Sequence, residues 1–471
     1  MTARHLPASI WVLGLLALAH ATPSALADEN NDLNLIPGAV GTPAPSEPAP
    51  QTSPAGGTPQ RIYLENAFTG NLQRHGLAVA FPPPNPRAWQ ERLFLDARTE
   101  WRLGSRLGFT FSDRLNLGAE KGQPVPDDEN VFNDFREGYL GWQPVDGAYL
   151  DIGRINLKSG VALGNNPTDF FKTRAVVEPL SADPSVLRED RLGTLMVRGQ
   201  YIWSGGSVTA AFAPKLYQPS ALDAERDPPS IDPLFDRTNA QNRLLLKSSI
   251  DFAEDLSPEF LVYRQGSETR FGANLTESIG HSLVVYGEWA GGWRHDLIHE
   301  ALLYGRRTGT IPSSAPDPLP SDQGKAFRNE ATIGASYTTE SRITFNLEYH
   351  YNQAGFSHQD WHNWFAAGAG PSSSLWYIRS YAADQQEPVS RHSIFLRADW
   401  TDAFVPDLDL TGFVNIDLYD GSGFAQVTAD YHLSDNWTVG GLAAGAFGGK
   451  RSDFGSLPTA ASLMVHINRY F

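Results

Sequence analysis

From Arg61 onward, polar and apolar residues alternate one for one, and this period limits the fold more than any other feature of the chain. In Arg342–Asn352, RITFNLEYHYN, residues Ile343, Phe345, Leu347, Tyr349 and Tyr351 fall on one face. Arg342, Thr344, Asn346, Glu348, His350 and Asn352 fall on the other. Trp89–Arg102 divides the same way, with Leu93, Leu95, Ala97 and Trp101 opposing Arg92, Asp96, Arg98, Glu100 and Arg102. Successive side chains of a strand point to opposite faces, so each segment is a strand with one apolar and one charged face. What the apolar face meets decides the fold.

The connections answer that question. Short turns at Leu103-Gly-Ser105, Pro144-Val-Asp-Gly147, Ser204-Gly-Gly206, Ser278-Ile-Gly-His281, Thr338-Thr-Glu-Ser341 and Ser434-Asp-Asn436 alternate with longer stretches. The longer ones lie near 118–131, 158–190, 218–239, 294–326 and 354–390. About 18 strands fit this plan, centred near residues 66, 95, 111, 137, 152, 197, 212, 246, 262, 273, 287, 332, 347, 396, 413, 428, 442 and 465. An even count brings both ends to one side, with tight turns there and long loops opposite. That is an all-β, transmembrane, antiparallel up-and-down barrel, with short periplasmic turns and long extracellular loops. Alternation weakens near 262 and over 437–448, so the expected count is about 16–18. A secreted sandwich or propeller is the competing plan, but no repeat of propeller length is evident.

The amino-terminal residues agree with export. Arg4 precedes an apolar run from Ile10 to Ala21, and Ala25-Leu26-Ala27 supplies a cleavage site, so residues 1–27 read as a secretory signal peptide. No later window approaches the ~18 apolar residues of a spanning helix. Residues 28–60, rich in proline, alanine and serine, read as a flexible periplasmic lead-in to a barrel over 61–471. The absence of cysteine excludes disulfides and thiolate zinc sites. Removing residues 1–27, which carry Arg4 and no acid, takes the formal charge from −16 to −17, a poor balance for binding nucleic acid.

With the apolar parity outside, the charged parity lines the interior, since each charge facing hydrocarbon costs about 2–4 kcal/mol at mid-depth. The expected pore-lining residues are Arg92, Arg98, Arg102, Arg106, Arg114, Arg243, Arg328, Arg342, Glu348, Arg397, Asp409 and Asp417, with Glu288 and Glu330 among further acids. Two arrangements are open: a basic wall facing an acidic one, or charges paired across neighbouring strands.

Catalytic and metal motifs are weak. His358-Gln-Asp-Trp-His362 lacks the glutamate of HExxH and sits among aromatics in a long loop, so it reads as a loop at the barrel mouth. No G-x-S-x-G accompanies the strand histidines His350 and His392. The stretch Gly160–Lys172, GVALGNNPTDFFK, is no phosphate loop, because Asn-Asn-Pro follows its last glycine. Neither an enzyme activity nor a cofactor is expected.

The run Arg136-Glu-Gly-Tyr139, Gly153-Arg154 and Gly164-Asn-Asn-Pro-Thr-Asp169 resembles a pattern of Gram-negative outer-membrane porin-like barrels, some of them similar to alginate-export channels. The closing strand, Leu463 to Phe471, resembles the recognition signal that barrel-assembly machinery reads, although Arg469 stands where an aromatic is commoner and leaves room for a short bulge. The resemblance implies an inward loop at a constriction, carried by Arg154, Asn165, Asn166, Pro167, Asp169, Phe170 and Phe171. The parity of Arg154 with Leu150 and Ile152 points it outward unless a bulge intervenes. Outer-membrane lipids, lipopolysaccharide, the assembly machinery at Phe471, and a small polar solute or polysaccharide are the partners implied. The expected function is an outer-membrane channel for polar, anionic or polyhydroxylated solutes. A plugged barrel that binds at the surface or assists assembly is the alternative, and a membrane-embedded hydrolase comes third.

Overall fold

Eighteen antiparallel strands follow chain order around one closed sheet. They are β1 (Gln60–Gln73), β2 (Trp89–Arg102), β3 (Leu107–Glu120), β4 (Val131–Val145), β5 (Ala148–Ile155), β6 (Thr194–Trp203), β7 (Gly206–Ala213), β8 (Arg243–Ile250) and β9 (Glu259–Gln265). The second half comprises β10 (Glu268–Ile279), β11 (Leu283–Arg294), β12 (Ala326–Thr338), β13 (Ile343–Asn352), β14 (His392–Trp400), β15 (Leu408–Asp417), β16 (Gly423–Ser434), β17 (Trp437–Phe447) and β18 (Thr459–Tyr470). This computed structural model describes residues 60–80, 82, 88–120, 131–177, 188, 190–222, 232–252, 256–368, 370 and 373–471. The expected signal peptide, the lead-in up to residue 59 and the loop over 121–130 lie outside the described residues.

β1 pairs with β18, Tyr63 opposite Tyr470 and Phe68 opposite Val465, so the ladder closes and no strand is left as an edge. Every strand centre expected from the sequence falls inside one of these strands. The register of β18 runs unbroken to Tyr470, which removes the bulge allowed for at its end. Arg469 instead stays on the outer parity, its guanidinium 5.0 Å from the Trp437 ring centroid and 5.7 Å from that of Phe471.

Outward positions are apolar around the whole circumference, from Leu95 and Leu115 through Val197, Leu246 and Phe271 to Leu347, Val427 and Leu463. Inward positions are polar and buried, as at Asp96, Arg114, Glu288 and Glu348. The two weakly alternating strands both exist, and each has an apolar inner face. In β9 the inward residues include Leu261 and Tyr263 between Glu259 and Gln265; in β17 they include Leu442 and Ala444.

One bulge changes what the lumen receives. Between Ser112 and Asp113 of β3 the partner on β4 jumps from Glu137 to Phe135, so Arg136 is extra. Both Arg136 and Glu137 are buried, placing opposite charges side by side on the inner face. Glycine serves a related end in β17. A Cβ on Gly440 would stand 2.0 Å from Asp430 Oδ1 and 2.4 Å from His466 Nε2. Its absence lets the Asp430–His466 pair, 2.9 Å apart, pass over the strand between them.

At the long-loop end, α1 (Phe235–Thr238) leans on β6, and three longer helices build a cap. These are α2 (Leu297–Thr308), α3 (His358–Ala367) and α4 (Ser374–Gln385). The HQDWH run is therefore the start of a helix, capped reciprocally by Ser357 and Asp360. Trp361, Trp364 and Trp376 join Leu297, Leu302, Ile378 and Val79 in a hydrophobic core separate from the barrel wall.

Gly440→Val should destabilise the barrel by about 1–3 kcal/mol through overpacking against Asp430 and His466. Gly441→Ala, whose Cβ would meet only Met464 O at 3.4 Å, should leave it unchanged. Urea midpoints of the folded barrel, read by gel mobility, distinguish the two.

Candidate functional site

The connection from β5 to β6, residues 156–193, turns into the barrel, and inward carboxylates on three neighbouring strands receive it. Val161 and Ala162 donate their backbone N–H groups to Glu288 of β11, the latter at 2.7 Å. Leu163 and Gly164 donate to Glu348 of β13 at 2.7 and 2.9 Å. The Asn165 amide reaches Glu330 of β12 at 3.1 Å, and Thr332 returns a bond to Asn165 O at 2.7 Å. Glu348 also accepts from the Tyr286 hydroxyl at 2.6 Å and lies 2.7 Å from His350 Nε2. Successive backbone donors aimed at fixed carboxylates suit a buried negative charge, because charge-assisted bonds offset its desolvation. Gly160, at φ +74°, permits the approach, since a Cβ there would meet Glu288 at 2.5 Å.

Beyond this anchor the loop tightens on itself. Asn166 Oδ1 accepts from Asp169 N, Pro167 is buried within the bend, and Lys172 Nζ donates to Asn165 and Asn166. Arg191 grips Asp169 through both terminal nitrogens at 2.7 and 3.0 Å, with Arg188 at 3.4 Å. Phe170 stacks on Tyr263 at 4.6 Å and Phe171 meets the same ring edge-on at 5.7 Å. Leu157, Met196, Leu245 and Leu261 complete that cluster. The loop then returns to the opposite wall, where Asp190 binds Arg114 and Arg136, each at 2.7 Å. The described parts of the connection, residues 156–177 and 190–193, thus reach from β11–β13 to β3–β4.

The remaining sequence-derived residues divide between lumen and rim. Arg114 and Arg136 share Asp96, and Arg98 lies 3.2 Å from Glu137 and 3.5 Å from Glu100. Arg92 sits over the Phe94 ring, Arg243 over Phe171, and Arg328 binds Asp322 at 2.8 Å. Arg397 binds Asp399 at 2.7 Å, Asp409 lies 3.1 Å from His432, and Asp417 accepts from Ser390 at 2.6 Å. Of the two arrangements left open by the sequence, Arg114 with Asp96 and Asp409 with His432 follow the one paired across neighbouring strands. Three arginines lie elsewhere than expected: Arg102 and Arg106 are exposed at the β2–β3 turn, and Arg342 occupies the β12–β13 turn at φ +59° beside Asp402.

Arg154 also departs from its expected place. It keeps the outer register of Ile152 and lies opposite Leu195, with no bulge to turn it. Its guanidinium donates to Gly193 O at 2.9 Å and Pro233 O at 2.5 Å, between the rings of Phe135 and Phe235. It therefore braces the wall under α1 and does not join the inner loop's anchor. Sequence reasoning placed Glu288 and Glu330 in the lumen without foreseeing that they hold a loop. It missed Asp190, Arg191 and Tyr263, although the lost alternation of β9 was the trace of Tyr263.

No family model and no curated protein matches the chain. Among solved structures it is similar to Pseudomonas aeruginosa OccK8 (OprE) and OccK5 (OpdH), each at 10% identity and a TM-score of 0.48 over 88% of this chain and 98% of that one. It is also similar to a triple mutant of Rhodopseudomonas blastica porin, at 9% identity and a TM-score of 0.39 over 88% of this chain and all of that one.

Glu288→Gln should open the loop, because an amide cannot accept from Val161, Ala162 and Thr168 together. The loss of about 1–3 kcal/mol corresponds to roughly ten- to hundredfold faster hydrogen exchange at residues 161–164. Acid should not reproduce it at Asp169. Burial pushes that carboxyl up, but Arg191 and Arg188 outweigh burial, so it titrates below its ordinary value. A depressed folded pKa keeps its stabilisation present above the unfolded pKa and loses it only as pH falls through the folded one. The Asp169–Arg191 clamp should thus stay closed at pH 5, whereas Asp169→Asn opens it at pH 7. The labelling rate of an introduced Thr173→Cys, relative to a Gly449→Cys reference, reads both.

Proposed function

We propose that the chain is a porin-like channel of the outer membrane, in which polar, anionic or polyhydroxylated solutes diffuse through a charged lumen narrowed by the loop that follows β5. The supporting observation is a contrast between two parts of the inner wall. Along β8–β13 the inward side chains lie covered, as at Lys247, Leu261, Glu330 and Glu348. Toward the short-turn ends of β2 and β14–β16 several keep solvent contact, the side chains of Arg98, Asp399, Asp409 and Asp430 being 34%, 30%, 39% and 26% exposed, although Asp96, Phe395 and Gln426 on the same strands are buried. Gly164 is exposed on the loop itself, beside Phe395. Space therefore remains between the loop and the β14–β16 wall.

The outer surface supports the membrane setting. Ile333 and Leu463, each 66% exposed, belong to an apolar band that surrounds the barrel, and hydrocarbon is the medium that removes it from water. In this reading residues 1–27 direct export, the short turns face the periplasm, and the cap meets lipopolysaccharide outside. Phe471 is the residue offered to the assembly machinery. The helical cap, with its own hydrophobic core, favours a second reading, a plugged barrel whose cap binds at the surface or assists assembly.

Purified protein in planar bilayers separates the two. A channel gives stable conductance, which should rise when residues 165–172 are replaced by a short Gly/Ser link. An electrically silent barrel, unchanged by that replacement, supports the plug and rejects the channel.

A further inference from the structure

An apolar stripe crosses the lumen wall where polar side chains are the rule. Phe395 of β14, Phe413 of β15 and Phe424 of β16 all point inward, since Phe413 lies opposite Arg397 and Asn415 lies opposite both Phe395 and Phe424. Their ring centroids are 5.6 and 6.0 Å apart, with interplanar angles of 34° and 40°. The stripe continues through Leu442 of β17, Met464 of β18 and Ala67 of β1, which pack with Phe424. It begins at the inner loop, where Gly164 and His350 meet Phe395.

Apolar surface lining water is unfavourable, and on β9 the protein removes it by covering Leu261 and Tyr263 with Phe170 and Phe171. Phe413 and Phe424 stay half-buried on the wall that the loop leaves free. The polar groups around them come as adjacent donors and acceptors. Arg397 and Thr411 both bind Asp399, the latter at 3.0 Å, and His466 binds Asp430. An anion approaching this wall meets Asp399, Asp409 and Asp430. A cation meets carboxylates already paired with Arg397, His432 and His466. A neutral polyol suits both features, because its ring face covers phenyl carbon while its hydroxyls accept and donate side by side.

We propose that Phe413 and Phe424, continuing from the loop-covered Phe395, form a contact track for neutral saccharides, along which sugar rings pass the inner loop. This rests on the channel reading and narrows its solute class from anionic or polyhydroxylated to uncharged and polyhydroxylated.

The test is current block in planar bilayers containing the full-length protein. Maltohexaose should interrupt the current in a concentration-dependent way, and a uronate hexamer or free arginine at equal concentration should do so far less. Phe413→Leu and Phe424→Leu keep apolar volume but lose the ring face, so each should shorten the blocking events by roughly 2- to 10-fold. Phe260→Leu on the outer face should change nothing. A conducting barrel that maltohexaose does not block overturns this proposal and leaves the channel reading standing. Equal or stronger block by the uronate or arginine also overturns it, as does block unaltered in both lumen variants. A barrel without conductance overturns the channel reading and this proposal with it.

Discussion

The antiparallel ladder between β1 and β18 is the contact on which everything else depends. It joins residues more than four hundred positions apart, as Tyr63 and Tyr470 show, and converts a meander into a ring. Once closed, the sheet has an inside, and each side chain's facing is fixed by whether its position is odd or even within a strand. Backbone groups are satisfied around the circumference, so the outer face is free to be wholly apolar. The cost moves inward, where charged side chains share a confined space.

That space is organised by two devices. Where the wall carries both signs, ion pairs form across neighbouring strands, as in Arg114, Arg136 and Asp96. Where the wall carries carboxylates on three successive strands, at Glu288, Glu330 and Glu348, a loop supplies donors beyond those of Arg270 and His350. The same loop is tied to the cap. Arg174 binds Asp384 of α4 at 3.0 Å and Tyr304 of α2, and Gln386 donates to Lys172 O. Wall, loop and cap therefore share load, and a change at the cap is felt at residues 160–172 through these bonds. Local opening of any one of them competes with the bonds of all three.

Most of the barrel was legible in the sequence because its signal is local. Period-two alternation and turn residues depend on neighbours within a strand, and they located all eighteen strands. The loop as an inward element was read from its length and from the motif resemblance, its glycines and Asn-Pro giving only the bend. Its partners were not. Arg191 with Asp169, and Asp190 with Arg136, are matches between distant residues of ordinary type, and nothing in one sequence marks them. Arg154 shows the opposite case: its parity with Ile152 was the correct guide to an outward side chain, and the motif resemblance that placed it at a constriction was not. The helical start at Ser357 was likewise readable from its Ser-x-x-Asp spacing, but lay hidden inside a stretch treated as loop.

The positions where alternation fails carry more information than those where it holds. A lumen wall exposed to water has no reason to be apolar, so an apolar inward residue implies something that covers it. In β9 the cover is present, since the loop brings Phe170 and Phe171 to Tyr263. In β14–β16 the wall keeps solvent contact, and its charges are already paired. Pairing weakens any field across the gap, because opposite charges in contact cancel at a distance. On the channel reading, selection on that wall falls to shape, ring faces and hydrogen-bond geometry rather than to net charge. The overall acidity of the chain therefore says little about the wall beside the loop.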